Sequence, residues 1–249
     1  MNGLNQSINK NIKRKKNIFV CLMMLLIGVI SFIIIFKTDV FTVKYVDILG
    51  NKNISKEELL ADSGIVLGNH IFKEKVNNIQ LNLYRNSYIK TVLVKRKLPN
   101  RIIIQVTERI EEAAIPFMNE FLMIDEEGMV LRSSASNELL KIIEGLECSN
   151  FMEGTILRAK DKDQLSKSLE IVRKINENEI TIKELDITNK ENIIIKLTDD
   201  LICKIGEGEI VEYELQILKQ ILEDLKKKNI TRGIIDISNE GYPSYRPVE

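Results

Sequence analysis

Nineteen consecutive positions, Ile18 to Phe36, carry no charge and read IFVCLMMLLIGVISFIIIF. As a helix this run measures about 28 Å, close to the hydrocarbon thickness of a bilayer. A helix is required there because lipid offers no partner to backbone amides and carbonyls. Lys10, Lys13, Arg14, Lys15 and Lys16 precede the run, and only Lys37 and Asp39 follow closely. Basic residues favour the cytoplasmic side, so the N-terminus is expected inside and the chain after about residue 37 outside. A cleaved signal peptide has the same order of features, but its apolar run is shorter and ends at a small-x-small site. Here the run ends in Ile-Ile-Ile-Phe-Lys. A core helix is rarely so uniformly apolar.

Beyond the span the pattern breaks into short elements. Phe41 to Leu49 reads as a strand, stopped at Gly50-Asn51. Ser55 is a good N-cap, Glu57 and Glu58 suit the first turn of a helix, and Gly64 suits its end. Lys73 to Asn86 repeats apolar groups at Val76, Ile79 and Leu83, a helical spacing. Tyr88 to Lys95 and Arg101 to Thr107 are β-rich, with Lys97-Leu-Pro-Asn100 as the turn between them. The order is βααββ, which predicts a small sheet covered on one side by two helices.

After residue 110 strands predominate. Glu112 to Phe117 and Phe121 to Ile124 pair through Met118-Asn119-Glu120, and Asp125-Glu-Glu-Gly128 turns into Met129-Val-Leu131. That turn lacks the ligand spacing of an EF-hand. Ile142-Ile143 is a short strand, and Asp161 to Asn176 a helix with Leu165, Leu169, Val172 and Ile175 along one stripe. Strands are expected at Ile180 to Ile187, Asn192 to Leu197 and Leu201 to Ile205, then an amphipathic helix from Glu209 to Lys228. Ile234-Ile-Asp-Ile237 reads as the final strand, because Pro243 and Pro247 discourage continuation. The expected class is α+β: a single transmembrane helix, a small βααββ domain, and a second mixed α/β domain with a mostly antiparallel sheet.

Two stretches of the first exterior region resemble a POTRA domain. One is Val46-Asp-Ile-Leu-Gly-Asn51 with Ser55-Lys-Glu-Glu-Leu59 and Gly64-Ile…Gly68-Asn-His-Ile-Phe72. The other is Val94-Lys-Arg-Lys-Leu-Pro-Asn100 leading to Ile104-Gln-Val-Thr-Glu-Arg109. With one anchor just before it, the chain resembles the FtsQ/DivIB family of bacterial cell-division proteins. It departs from that family's pattern at Leu98, where Trp is usual, and at Glu111, in a stretch where Pro commonly follows the Glu-Arg pair. Phe121 to Gly128 and Gly233 to Ser238 resemble the β-domain that follows POTRA there. The resemblance implies a cytoplasmic tail at 1–17, a span at 18–36, a POTRA domain at 41–109, a β-domain at 110–238 and a C-terminal tail at 239–249. A POTRA module for envelope protein export or assembly is the alternative.

Charge and chemistry narrow the function. Net charge is zero, but five of the 36 basic residues lie in residues 1–17 with no acid, so the remainder is acidic by five. That balance disfavours nucleic acid. G-x-S-x-G, P-loop, S-x-x-K, H-E-x-x-H and C-x-x-C patterns are all absent. His70 is the one histidine and reads as a loop residue. Cys148 and Cys203 could pair, but two thiols define no framework. Carboxylate pairs such as Asp199-Asp200 and Glu111-Glu112 are expected as solvated turns or faces.

The expectation is a binding protein without catalytic, cofactor or metal residues, taking no small-molecule substrate. Its expected mode is strand addition at an exposed sheet edge. The last strand is the candidate, since nothing is expected to cover it. The family resemblance implies the same place, as the surface that holds FtsL-like and FtsB/DivIC-like single-pass division proteins at the septum, where septal peptidoglycan synthesis is controlled. The candidate residues are Ile234, Ile235, Asp236, Ile237 and Ser238, with Tyr242 and Tyr245 as aromatic anchors. In the competing reading these isoleucines are core and the tail is disordered.

Overall fold

A computed structural model describes residues 2–137, 140–206, 212–238 and 243–247. The chain divides into two compact units, one formed by residues 1–84 and 91–107, the other by 85–90 and 108–249.

The first unit begins with helix α1 (Asn2–Lys37). Its stretch Lys16–Ile34 has a mean hydropathy of 2.8 and is exposed throughout, so it is long and apolar enough to cross a membrane. A single 3-10 turn, Asp39–Phe41, leads to β1 (Tyr45–Leu49), then α2 (Lys56–Ser63), α3 (Val76–Leu83), β2 (Ile89–Lys97) and β3 (Arg101–Glu108). Strand order is β1-β3-β2, with β1 parallel to β3. A parallel neighbour needs a long crossover, and α2 and α3 lie within it. Ser55 caps α2, its hydroxyl accepting from the Glu58 amide at 3.1 Å. Gly50 has φ +86°, and a Cβ there would lie 2.2 Å from the Val106 carbonyl oxygen, so this exit from β1 demands glycine. Ile102, Ile104 and Val106 are buried at alternate positions of β3, as are Leu59 of α2 and Ile79 and Leu83 of α3. The βααββ expectation stands. α3 is shorter than the apolar repeat suggests, because Lys73 to Lys75 form a turn and Tyr84 ends the helix.

The second unit contains β4 (Ala113–Phe117), β5 (Glu120–Ile124), β6 (Val130–Ser134), β7 (Lys141–Glu144), α4 (Lys162–Glu177), β8 (Glu184–Asp186), β9 (Ile194–Lys196), β10 (Leu201–Lys204), α5 (Glu212–Lys227), β11 (Gly233–Asp236) and β12 (Ser244–Arg246). They form one sheet in the order β12-β11-β10-β9-β8-β7-β4-β5-β6. Two parallel pairs, β7 with β8 and β10 with β11, are each bridged by one helix, α4 and α5 respectively. β4 with β7 is also parallel, and the remaining neighbours are antiparallel. The sheet is therefore mostly antiparallel, as expected.

Its core joins Ile115, Ile143, Leu185, Ile195, Cys203 and Ile235 from the strands with Val172 and Ile175 of α4 and Leu215 and Leu218 of α5. Each such aliphatic side chain contributes about 1.5–3 kcal/mol on burial. Three expectations need correction. The strand expected over Ile180 to Ile187 reduces to β8, because Ile180 is tied to the end of α4 by its amide bond to the Ile175 carbonyl. Ile194–Lys196 is likewise shorter than its apolar run. The third correction is larger: β11 is not the last strand, since β12 follows it. The start expected for α5, at 209–211, lies outside the described residues.

Candidate partner-binding edge

An antiparallel sheet of this length has two ends, and each outer strand carries backbone groups that no inner neighbour satisfies. At one end is β6. Segment 152–157 lies along it: the Val130 amide donates to the Thr155 carbonyl at 3.0 Å, and the Gly154 amide donates to the Val130 carbonyl at 2.8 Å. Met129 and Ile156 form a further bridge. The Ser87 hydroxyl donates to the Leu131 carbonyl at 2.6 Å, and the Ser133 amide donates to Glu153 Oε1 at 3.2 Å. The chain itself occupies this edge.

Charges hold the same region. Glu111 accepts from Arg132 through Nε (2.7 Å) and Nη2 (3.1 Å), a two-point grip, and from the Tyr88 hydroxyl at 2.5 Å. Burial pushes the Tyr88 phenol up to about 12, and the hydrogen bond to Glu111 adds to it. Burial alone would raise Glu111, but the Arg132 and Tyr88 hydrogen bonds outweigh it and hold this carboxyl below the ordinary range. Nearby, Arg109 pairs with Asp125 and with Glu127, the latter at 2.7 Å. Asp125 is 3% exposed, and its Oδ1 accepts from the amides of Glu127 and Met129, which builds the turn between β5 and β6.

At the other end is β12, paired antiparallel to β11 with Ile234 opposite Arg246, Ile235 opposite Tyr245 and Asp236 opposite Ser244. Among the described residues no strand lies on its outer side. Ser244 and Arg246 are exposed and Tyr245 is half-buried. Tyr245 is fixed from below. Its hydroxyl donates to the Arg232 carbonyl at 2.7 Å, and its ring crosses Gly233, where a Cβ would come within 2.5 Å of the ring. Glycine at 233 is what lets this aromatic lie flat on the sheet. Arg246 reaches Asp236 at 3.6 Å. Asp236 also accepts from the Ser238 hydroxyl at 2.6 Å and amide at 3.1 Å; the hydroxyl bond is the main reason its carboxyl sits below the ordinary range.

The residues singled out from sequence thus separate into two sets. Ile235 and Ile237 are buried and Ile234, Asp236 and Ser238 half-buried; Ile234 to Asp236 lie on the inner strand β11, flanked by β10 and β12, and Ile237 and Ser238 follow it. The expectation that nothing covers Ile234 to Ile237 is therefore corrected, because β12 pairs with that strand. Tyr245 lies on the outermost strand. Tyr242 lies outside the described residues. Sequence reading missed Ser244 and Arg246. The signal was present: proline is tolerated at the first residue of a strand and along an edge, so Pro243 and Pro247 frame a three-residue edge strand.

Elsewhere, Cys203 is a buried thiol in β10 and Cys148 a half-buried one. Among the described residues no group of three or more His, Cys, Asp or Glu side chains is placed to hold a metal.

Comparison with known proteins places this architecture. Residues 41–109 match the family model for the POTRA domain, FtsQ-type, and residues 114–238 match that for the cell division protein FtsQ/DivIB, C-terminal region. The chain is 31% identical over 247 residues to the cell division protein DivIB of Clostridium botulinum strain Hall, covering 96% of this chain and 93% of that protein. It is 31% identical to DivIB of Clostridium tetani, over 84% of this chain and 80% of that one. It is 24% identical to the cell division protein FtsQ of Syntrophotalea carbinolica, over 81% and 75% respectively. With both regions beyond the apolar helix matched and a relative aligned over nearly its full length, the chain belongs to the FtsQ/DivIB family of cell-division proteins.

Proposed function

We propose that this protein is a membrane-anchored division scaffold. α1 crosses the membrane once, with its basic N-terminal stretch in the cytoplasm and the chain beyond it outside. At the septum the second unit binds small single-pass division proteins of the FtsL and FtsB/DivIC type and so helps control septal peptidoglycan synthesis. The observation that carries this reading is the contrast between the two sheet ends: β6 is occupied by its own chain, whereas β12 is outermost. A partner strand laid along β12 would gain main-chain hydrogen bonds, with Tyr245 as the aromatic anchor and Arg246 beside it. The candidate surface shifts accordingly, from the inner strand to its neighbour. Ile234 and Asp236 support β12 from behind, Ser238 holds Asp236, and Ile235 and Ile237 are buried in the core.

The test is co-purification from membranes of the full chain and of a chain lacking residues 243–249. The shortened chain is expected to lose the FtsL- and DivIC-type proteins while keeping a cooperative thermal transition, lowered by only about 2–8 °C. Undiminished co-purification would overturn the β12 assignment. A midcell band of a fluorescent fusion is expected, and a uniform membrane signal would count against the division role.

A further inference from the structure

The exit of α1 from the span is ringed by aromatic side chains that the strand-edge function does not use. Phe32 and Phe36 lie one helical turn apart on α1, with ring centroids 4.6 Å apart and planes tilted by 38°. The His70 ring stacks on Phe36 at 5.6 Å with an interplanar angle of 4°. From His70 the series continues to Phe72 at 5.7 Å and to Phe41 at 6.4 Å, and Phe41 faces Phe72 at 6.2 Å.

Backbone pairing holds the far members in place. Thr42 bridges His70, and the Ile71 amide donates to the Phe41 carbonyl at 2.7 Å. This register sets Phe72 level with Val40, just past the end of α1. Both side chains point into open surroundings, with Phe72 47% exposed and Val40 46%. Large apolar groups so placed beside water are costly and mark a contact surface. Lys37 and Lys73 lie exposed beside them, together with one acid, Asp39.

We infer that Phe72 and Val40, backed by Phe41 and His70, form a collar that sits in the headgroup layer of the bilayer. The inference rests on the reading that α1 spans the membrane. If the apolar run fills the hydrocarbon, Phe36 lies at its outer boundary. The headgroup layer beyond is only about 5–8 Å deep on each side, comparable to one ring-to-ring step. The occupant is therefore a phospholipid surface, continuous with the lipid around the span. Apolar aromatics at that depth with lysines at their rim match the pattern of interfacial protein segments.

The sequence contains no tryptophan, so a single introduced one reports without background. The experiment uses the full chain in nanodiscs of phosphatidylcholine and phosphatidylglycerol, with bromine placed either near the headgroup end or near the methyl end of the acyl chains. Phe72→Trp is expected to emit to the blue of exposed tryptophan and to lose roughly half its intensity to shallow bromine, with less loss to deep bromine. Phe32→Trp is expected to be quenched most by deep bromine. Leu49→Trp, at the far end of β1 and 52% exposed, is expected to be quenched by neither.

Failure of quenching at Phe32→Trp would sink the spanning reading itself. Quenching at Phe32→Trp with none at Phe72→Trp would overturn the collar alone and leave that surface to a protein partner. Phe72 and Leu49 are both exposed, and tryptophan keeps an aromatic ring against His70 and Phe41, so these replacements should disturb the unit little. Matching thermal transitions for the three variants would verify that.

Discussion

The two ends of the nine-stranded sheet solve the same problem in opposite ways. Both are outer strands, with backbone groups that must find partners in water, in the chain or in another molecule. β6 finds them in its own chain, in segment 152–157, the Ser87 hydroxyl and the Glu153 carboxylate, and a side-chain network of Tyr88, Glu111 and Arg132 holds the region beside it. β12 is three residues long, framed by prolines, and its side-chain contacts point back to β11 rather than outward. The lesson is that polar anchoring marks the end that must stay shut. On the proposed reading, the end with little of it is the one offered to a partner strand. Substitutions at β6 should therefore cost stability, and substitutions at β12 should cost binding.

The largest loss is expected from Arg109→Ala. Arg109 is 10% exposed and carries the charge that faces Asp125, which is 3% exposed. Burial works against the guanidinium, yet the bonds to Glu127 and Asp125 keep its pKa above the ordinary value. Removing it leaves a buried carboxylate without its cation, at a cost of about 3–5 kcal/mol. Chemical denaturation of the protein should show that loss. A change under about 1 kcal/mol would mean the pair behaves as a surface ion pair, and that β6 is not held by charge.

Glu111→Gln is a smaller lesion with a pH signature. The folded-state pKa of Glu111 is lowered, so its contribution is present above the unfolded value, near 4.5, and is lost as pH falls through the folded one. Tyr88 runs the other way. Its pKa is raised from 10.0 to about 12, so its contribution is complete below pH 10 and is lost as pH rises toward 12. Glu111→Gln should lower stability at neutral pH by about 1–2 kcal/mol and flatten the acid limb. Ultraviolet titration should show Tyr88 ionising earlier than in the parent but still late, because burial is the larger cause of its shift. An unchanged tyrosine titration would show that Glu111 does not act on Tyr88.

The difference between the ends also explains what the sequence could show. Periodicity and caps made the first unit legible: Ser55, Gly50 and the alternation in β3 each specify a local geometry through one residue type. The helices of the second unit were equally plain, because a buried stripe is a local pattern, whereas β8 and β9 are shorter than their apolar runs. The closed edge was not legible. Glu111, Arg132 and Tyr88 are far apart in sequence, and in a chain that is 29% charged nothing distinguishes them from solvated groups. β12 was hidden for another reason: three residues are too few to show alternation, and prolines that read as terminators are equally compatible with an edge. Sequence reading put the open edge on Ile234 to Ile237, one strand inward of β12, the outermost strand among the described residues.

The smallest expected effect on the fold belongs to Tyr245, and it is the most discriminating. Tyr245→Phe deletes only the hydroxyl bond to the Arg232 carbonyl, and Arg232 is exposed, so water replaces the donor. Stability should change by no more than about 0.5–1 kcal/mol, and partner affinity should stay within about twofold. Tyr245→Ala removes the ring that lies across Gly233. It should cost the fold only about 1 kcal/mol and yet weaken partner binding by about tenfold or more, as loss of an interface aromatic does. A denaturation midpoint and a binding isotherm on both variants separate the roles. If Tyr245→Ala unfolds the second unit as severely as Arg109→Ala, then β12 is a structural strand like β6, and the contrast between the two ends fails. If binding falls while the midpoint holds, β12 is the strand that a partner extends.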